Sequence, residues 1–442
     1  MRWLGDAAYL GGAILTSPVW LPRMLVTGKI RTDWPARFGR GDTIVATDRP
    51  RILLHAVSVG EVNAIRALVR ALDERGIDVV IATTTDTGTD RARAIFGGRH
   101  PVVRYPFDFS GAVARFLDRV RPDAVGLVEL EVWPAFTRAC ADRRVPIAVV
   151  NGRLSRRSAD RYRWIRFLVR PSFRRLAFAA VQTESDATRF EAMGVPRERI
   201  EVTGTMKWDT ASIADSVEGA DALADAMGID RTRPLVVAGS TAPEEHALLD
   251  AAVAPGAQLL CAPRRPEWFD DAASTLTTCA RRSRGDRGSE RGRFLLDTIG
   301  ELRQAYALAD VVVVGRSFGA RHGSDMMEPV ALGKPTIVGP AVSDFASVVE
   351  SLRDGGGIVQ SGRDELASVI ADLLAHPDRA AAIAERGRVV IRAHQGATER
   401  TMQRLAALVG DAAGTNDETL AKKLAVPAGS RDGEGGERRK EE

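Results

Sequence analysis

Cysteine is scarce: Cys140, Cys261 and Cys279 are the only three in 442 residues. An odd number at such wide spacing fits neither a disulfide framework nor a zinc motif, and it suits a reducing cytosol. Histidine is also rare, with six residues and no His-x-x-x-His pair, so no built-in metal site is expected. Charge of one sign is missing as well. The 62 basic and 58 acidic residues leave a net +4, and the arginines are spread along the chain, which argues against a nucleic-acid partner. A long hydrophobic run is absent. The most apolar stretch, residues 7 to 24, is broken by Pro18 and Pro22 and falls short of the about 20 residues a spanning helix needs. A signal peptide does not fit either, because Asp6 sits near the single Arg2 and no small-residue cleavage site follows. With Lys29 and Arg31 behind it, this stretch reads as an interfacial anchor, with a first helix packed on the domain as the alternative.

What is present is a globular composition, 45% apolar and 27% charged, on a chain long enough for two cores. A strand-then-helix rhythm opens with Ile52-Leu53-Leu54-His55-Ala56-Val57 and recurs near residues 79–83, 124–128, 147–150 and 179–182. A second series begins at Leu235-Val236-Val237-Ala238 and recurs near 258–261, 311–314 and 336–338. Apolar strands alternating with amphipathic helices indicate an α/β fold with parallel sheets covered on both faces. The expectation is two Rossmann-like, doubly wound domains facing a cleft, at residues 35–209 and 233–412. A hydrophobic segment (1–34) would precede them, a linker (210–232) join them, and a disordered tail (413–442) follow. The Arg, Gly, Ser and Asp run from Arg281 to Arg293 reads as a solvated surface loop.

Ligands of such sheets bind outside the carboxyl ends of the strands, where the chemically loaded turns fall. Ser58-Val59-Gly60-Glu61 puts a carboxylate at a strand-to-helix turn. There it could act as a general base, or merely complement the helix dipole. Glu129-Leu130-Glu131-Val132-Trp133-Pro134 places two acids after a strand; if the strand continues, both point to one side. A solvated strand end remains the alternative. Asn151-Gly152-Arg153 adds a cationic turn. In the second half, Gly239-Ser240-Thr241 and Gly315-Arg316-Ser317 are small-residue turns suited to holding phosphate on backbone amides. Glu328, near a helix start, could accept ribose hydroxyls.

Taken in order, these motifs resemble the bacterial Kdo transferase family, which has the GT-B architecture and adds 3-deoxy-D-manno-octulosonate (Kdo) to a lipid A precursor. The resemblance spans about residues 35 to 400. It also draws on Gln182-Thr183-Glu184-Ser185, Thr203-Gly204-Thr205-Met206-Lys207-Trp208-Asp209, Pro263-Arg264, Asp297-Thr298-Ile299-Gly300-Glu301 and Glu328-Pro329. It implies Glu61 as catalytic base and Glu129, Glu131, Arg153 and Lys207 on the acceptor side. Ser240, Pro263, Arg264, Gly300, Ser317, Asp325 and Glu328 would surround the donor, CMP-Kdo. It further implies no cofactor or metal, a lipid A precursor as partner, and attachment by the N-terminus to the cytoplasmic face of the inner membrane.

Four positions depart from the family's usual pattern, all on the nucleotide side: Ala242, Arg265, Arg316 and Asp325. Asp325 would bring negative charge toward the donor phosphate, with Arg316 as the expected compensating cation. The departures leave room for another CMP-activated ulosonate or another acceptor. A UDP-sugar enzyme of the same fold, or an idle lipid- or nucleotide-binding relative, would be the more distant readings.

Overall fold

The computed structural model describes residues 33–412, with isolated earlier positions at 6, 7, 10, 11, 15–18 and 22. Most of the proposed anchor at 7–24 and the whole tail after 412 lie outside the described residues. Among the described residues, no helix is long and apolar enough to cross a membrane. The chain divides into two compact units, one running to Met206 and resuming at Gly396, the other spanning Lys207–Gln395.

The first unit holds seven parallel strands: β1 Arg51–His55, β2 Asp78–Thr83, β3 Val102–Arg104, β4 Ala124–Val128, β5 Ile147–Gly152, β6 Leu176–Val181 and β7 Ile200–Val202. Their order is β3-β2-β1-β4-β5-β6-β7. The second unit also holds seven: β8 Leu235–Thr241, β9 Gln258–Pro263, β10 Ala280–Arg281, β11 Arg293–Leu295, β12 Val311–Val314, β13 Thr336–Val338 and β14 Val359–Gln360. Here the order is β10-β11-β9-β8-β12-β13-β14.

Each sheet is buried on both faces, which is why its central strands are continuous apolar runs. In β1, Leu53 packs into the core on one face while Ile52 and Leu54 pack into the core on the other. In β12, Val312 and Val314 face one core, Val311 and Val313 the opposite one.

Three expectations about organisation change. Residues 210–232 are not a free linker: Ala220–Met227 is a helix whose Ala220, Leu223, Ala224 and Met227 are buried in the second core. The alternating Ala and Asp composition hid an i, i+3, i+4, i+7 stripe. The segment before it is tied down by Arg388, which donates to Asp215 Oδ1 at 2.7 Å and to the Ala214 carbonyl at 2.7 Å. Second, the helix Ala397–Ala412 belongs to the first unit, where Leu405 and Leu408 join the core beneath β4 and β5. Third, Arg281–Arg293 is pinned rather than loose. Arg281 Nε meets Asp297 Oδ2 at 2.8 Å, Arg282 forks onto Glu301, and buried Arg293 binds Asp250 Oδ1 at 2.7 Å.

Candidate active site

In the first unit the strand order reverses between β1 and β4, the topological switch point where such sheets bind ligands. The chain leaves β1 through Ser58, which caps the short helix Val59–Ala64 by accepting from Glu61 N at 3.4 Å. The Glu61 carboxylate folds back over the same turn. Its Oε1 accepts from Ser58 Oγ and its Oε2 from Val57 N, each at 2.8 Å. Glu61 therefore fills a helix-start role and is half-buried at the mouth of the switch point. Burial lifts its carboxyl above the ordinary value. The two hydrogen bonds oppose that rise, and the neighbouring charge of Glu131 reinforces it.

Glu131 moves the other way. Burial pushes its carboxyl up, but the His55 ring and the Trp133 indole N–H, 2.8 Å from Oε2, more than offset this and hold it below the usual carboxylate range. His55 is the last residue of β1 and fully buried. Its Nδ1 lies 3.1 Å from the Ala82 carbonyl, which can only accept, so Nδ1 carries a hydrogen. Its Nε2 faces Glu131 Oε2 at 3.8 Å, and the ring stacks on Tyr105 with centroids 3.6 Å apart. The two carboxylates are thus shifted in opposite directions, Glu131 toward the stronger acid and Glu61 toward the stronger base.

The loop carrying Glu131 is anchored by Asp108. No capping side chain stands at Trp133, where the helix Pro134–Asp142 begins, so buried Asp108 supplies it, accepting from Ala135 N at 2.9 Å and Phe136 N at 2.8 Å. Burial raises the Asp108 carboxyl to about 6. On the helix Arg156–Phe173, Tyr162 feels the charge of Glu131: burial first and Glu131 next push its hydroxyl up.

Not every expected residue joins this group. The strand ends at Val128 and Glu129 takes a left-handed backbone, φ +61°, so the alternation that would align Glu129 with Glu131 does not apply. Arg153 is exposed at the β5 turn. Lys207 falls in the second unit, where its charge acts on Asp325. Sequence reading missed His55, Tyr105, Asp108 and Tyr162. Of these only His55 carried a signal, a basic side chain inside an apolar strand.

In the second unit the switch point lies between β8 and β12. The backbone is left-handed there at Ser240 (φ +57°), in an irregular end of β8, and at Arg316 (φ +58°), in the turn after β12. One fully buried side chain joins them. The Glu245 carboxylate accepts from Ala242 N (2.9 Å) and Arg316 N (2.8 Å) through Oε2, and from Ser317 N and Phe318 N (both 3.0 Å) through Oε1. This corrects the expectation that the Gly315-Arg316-Ser317 amides hold phosphate, since the Arg316 and Ser317 amides already serve Glu245. Ser317 itself is buried; its Oγ donates to the Val314 carbonyl and accepts from Gly339 N. It holds the turn. Gly239 is required by packing: a Cβ there would stand 2.1 Å from the Tyr306 hydroxyl.

The remaining expected donor residues lie in the second unit in different states. Pro263 is buried at the end of β9, while Arg264 is exposed with no hydrogen-bonded or ionic side-chain partner among the described residues. Gly300, at φ +101°, is exposed in a turn held by Asp297 and Glu301. Glu328 is half-exposed, 3.4 Å from Arg303 Nη1.

The anticipated Arg316–Asp325 pair does not form. Arg316 donates to the Arg321 carbonyl at 3.0 Å, whereas the Asp325 carboxylate accepts from Met327 N at 2.8 Å. Asp325 keeps a solvent-facing surface, yet the protein packed around it, and then Glu328, lift its carboxyl above the usual value, with Lys207 opposing. Arg265 stacks instead on Trp268, 5.1 Å from the ring centre. Among the described residues, no group of three His, Cys, Asp or Glu side chains is placed to hold a metal ion.

Comparison with known proteins gives the family and the fold. The family described as 3-Deoxy-D-manno-octulosonic-acid transferase (kdotransferase) matches residues 32–210. The 3-deoxy-D-manno-octulosonic acid transferase of Bordetella pertussis is 35% identical over 393 residues, covering 84% of this chain and 90% of that protein. Its counterpart from Haemophilus influenzae is 30% identical over 369 residues, covering 80% and 86%. Two solved structures share the fold at low identity. They are the UDP-GlcNAc 2-epimerase of Neisseria meningitidis (TM-score 0.53, 14% identity, 81% of this chain and 100% of that one) and MurG of Acinetobacter baumannii (TM-score 0.53, 13%, 81% and 99%). The architecture is of the GT-B type.

Proposed function

The chain belongs to the 3-deoxy-D-manno-octulosonic acid (Kdo) transferase family, and from that premise we propose that it transfers Kdo from CMP-Kdo to a lipid A precursor, lipid IVA, with inversion at the anomeric carbon. The observation that carries the reading is the pair of carboxylates at the first switch point. Half-buried Glu61, bonded to Ser58 and Val57, is raised, and Glu131, beside the buried His55 ring, is lowered.

In this reading an acceptor hydroxyl gives its proton to the free lone pairs of Glu61 as its oxygen bonds the anomeric carbon of Kdo. The bond from that carbon to the CMP phosphate breaks on the opposite side, and CMP departs with the electron pair. The raised basicity of Glu61 favours the proton transfer, while Glu131, held ionised, offers an acceptor for a second hydroxyl. The step as written draws on no metal and no cofactor. On the donor side, exposed Arg264 meets the CMP phosphate and Glu328 the ribose hydroxyls, with Ser240 and Gly300 lining the approach. The work takes place at the cytoplasmic face of the inner membrane, where the precursor lies. A second reading, another CMP-activated ulosonate as donor, is favoured by Asp325, an acid beside Glu328 without a paired arginine.

The test is incubation with CMP-Kdo and a tetraacylated lipid A precursor, with mass spectrometry of the lipid. Gain of Kdo supports the first reading. An unmodified lipid, together with transfer from another CMP-ulosonate, supports the second. Calorimetric titration showing binding of neither CMP nor UDP would overturn both.

A further inference from the structure

In the first unit one imidazole faces two acceptors, and it can serve both only with a hydrogen on each nitrogen. His55, at the end of β1, is fully buried. Its Nδ1 lies 3.1 Å from the Ala82 carbonyl of β2, which also accepts from Ala56 N at 2.9 Å. A carbonyl oxygen has nothing to donate, so Nδ1 is the donor. On the other side Nε2 is buried, makes no hydrogen bond among the described residues, and stands 3.8 Å from Glu131 Oε2. That oxygen is an acceptor too, because it takes the Trp133 indole N–H at 2.8 Å, and an indole nitrogen only donates. A neutral ring would turn a bare lone pair toward a carboxylate oxygen, out of water, where an unsatisfied polar contact is costly. Stacking fixes the plane of the ring. It lies flat on Tyr105, with centroids 3.6 Å apart and 6° between planes, and Tyr105 packs in turn against Phe136 at 5.0 Å and Phe116 at 6.0 Å. An aromatic face at that distance favours a cation.

We propose that His55 is an imidazolium paired with Glu131, and that through Glu131 it is a positioning residue for the acceptor. The positioning role rests on the transfer reading above; the ion pair does not. His55 and Trp133 both engage Oε2, so Oε1 of Glu131 keeps no hydrogen-bond partner among the described residues and is open to an acceptor hydroxyl. A carboxylate held at one oxygen by two donors presents the other in a fixed place, which is what orienting a substrate requires. The pair also sets the field at the base. The ionisable groups around the ring are Glu131 from the loop after β4, Glu61 from the helix after β1, and Tyr105 after β3. Burial raises the Glu61 carboxyl first; of the two charges, Glu131 adds to that rise and His55 opposes it. Loss of His55 and loss of Glu131 therefore move Glu61 in opposite directions.

The first measurement uses the full chain without substrate, so its outcome is separate from that of the transfer assay. The histidine ring nitrogens are isotopically labelled and their magnetic resonance spectrum is read at neutral pH. The His55 signal is identified by through-space transfer to the stacked Tyr105 ring, which needs no variant. Both nitrogens should bear hydrogen in wild type, and in E131Q the ring should revert to the neutral form with its hydrogen on Nδ1. A neutral His55 in the wild-type spectrum would overturn the ion pair. Kinetics then separate positioning from mere support. H55N keeps an N–H for the Ala82 carbonyl but has no group facing Glu131; H55Q restores an uncharged donor toward Glu131. H55N should slow transfer by about tenfold to a hundredfold, the range for a misplaced group, with CMP affinity unchanged, and H55Q should recover part of that rate. In both, the acid limb of the pH–rate profile should move to higher pH, because the charge opposing the rise of Glu61 is gone while Glu131 remains. The double variant H55N/E131Q should match E131Q alone within about twofold, since His55 acts through Glu131. Additive losses, or an acid limb that stays in place in both single variants, would overturn the positioning role. A doubly protonated ring in a chain that consumes no CMP-ulosonate would keep the ion pair and overturn the positioning role together with the transfer reading.

Discussion

Glu245→Gln is the most informative change in the second unit. The wild-type carboxylate receives four backbone N–H groups from two turns, Ala242 on one side and Arg316, Ser317 and Phe318 on the other, with no exposure to water. A hydrogen bond to a charged group contributes about 1.5–3 kcal/mol. Glutamine keeps one oxygen and presents an NH2 in place of the other, so two of the four donors face a donor and stay buried. The expected loss is about 3–6 kcal/mol, a large part of the about 5–15 kcal/mol that stabilises a folded domain. For a unit of this size, at about 2–4 °C per kcal/mol, that corresponds to a fall in melting temperature of roughly 6–24 °C. Differential scanning calorimetry reads it directly, and the lower-melting transition should be the one that CMP shifts upward in wild type. A destabilisation below about 1 kcal/mol would refute the reasoning, because the switch-point turns would then be held by something other than this carboxylate.

Other substitutions follow from the same geometry. Glu131→Gln removes the like charge that helps raise Glu61, so the acid limb of the pH–rate profile should move to lower pH; a limb that stays in place would deny the coupling. Arg316→Gly and Asp325→Asn share no hydrogen-bond partner, so their effects on CMP affinity in a double-mutant cycle should add within about 0.5 kcal/mol. A larger coupling would restore the compensating pair. Gly239→Ala forces a Cβ onto the Tyr306 hydroxyl and should destabilise the second unit by about 1–3 kcal/mol, the usual range for overpacking, read as a lower denaturant midpoint.

The sheets were legible because each apolar run ends abruptly at small or charged residues, as Ile52–Val57 does at Ser58 and 311–314 does at Gly315. Glu61 was legible for the same reason: it stands at a strand-to-helix turn with Ser58 three residues before it. Glu245 was not. It sits inside a helix reading Pro-Glu-Glu-His, and nothing local says that a turn 71 residues later brings its amides to that carboxylate. His55 reads as one more strand residue until Ala82, Tyr105 and Glu131 close around it. Helix Ala397–Ala412 shows its amphipathic stripe in the sequence but not which sheet the stripe will meet. The arginines of 281–293 looked like solvated punctuation because their acids, Asp250, Asp297 and Glu301, lie outside the run. Periodicity reports which face is apolar; partners distant in sequence are fixed only by the topology.

The central claim is that Glu61 removes the acceptor proton, and Glu61→Gln tests it most directly. Glutamine retains the side-chain size; its oxygen can keep the Val57 N–H bond while its NH2 donates to Ser58 Oγ, and the basic carboxylate is gone. Single-turnover transfer from CMP-Kdo to detergent-dispersed lipid A precursor, at saturating concentrations of both, isolates the chemical step. The rate constant should fall by about a hundredfold or more, the range for a positioned base, with CMP affinity unchanged. A rate within a few-fold of wild type would contradict the claim and leave Glu61 with its helix-start role alone.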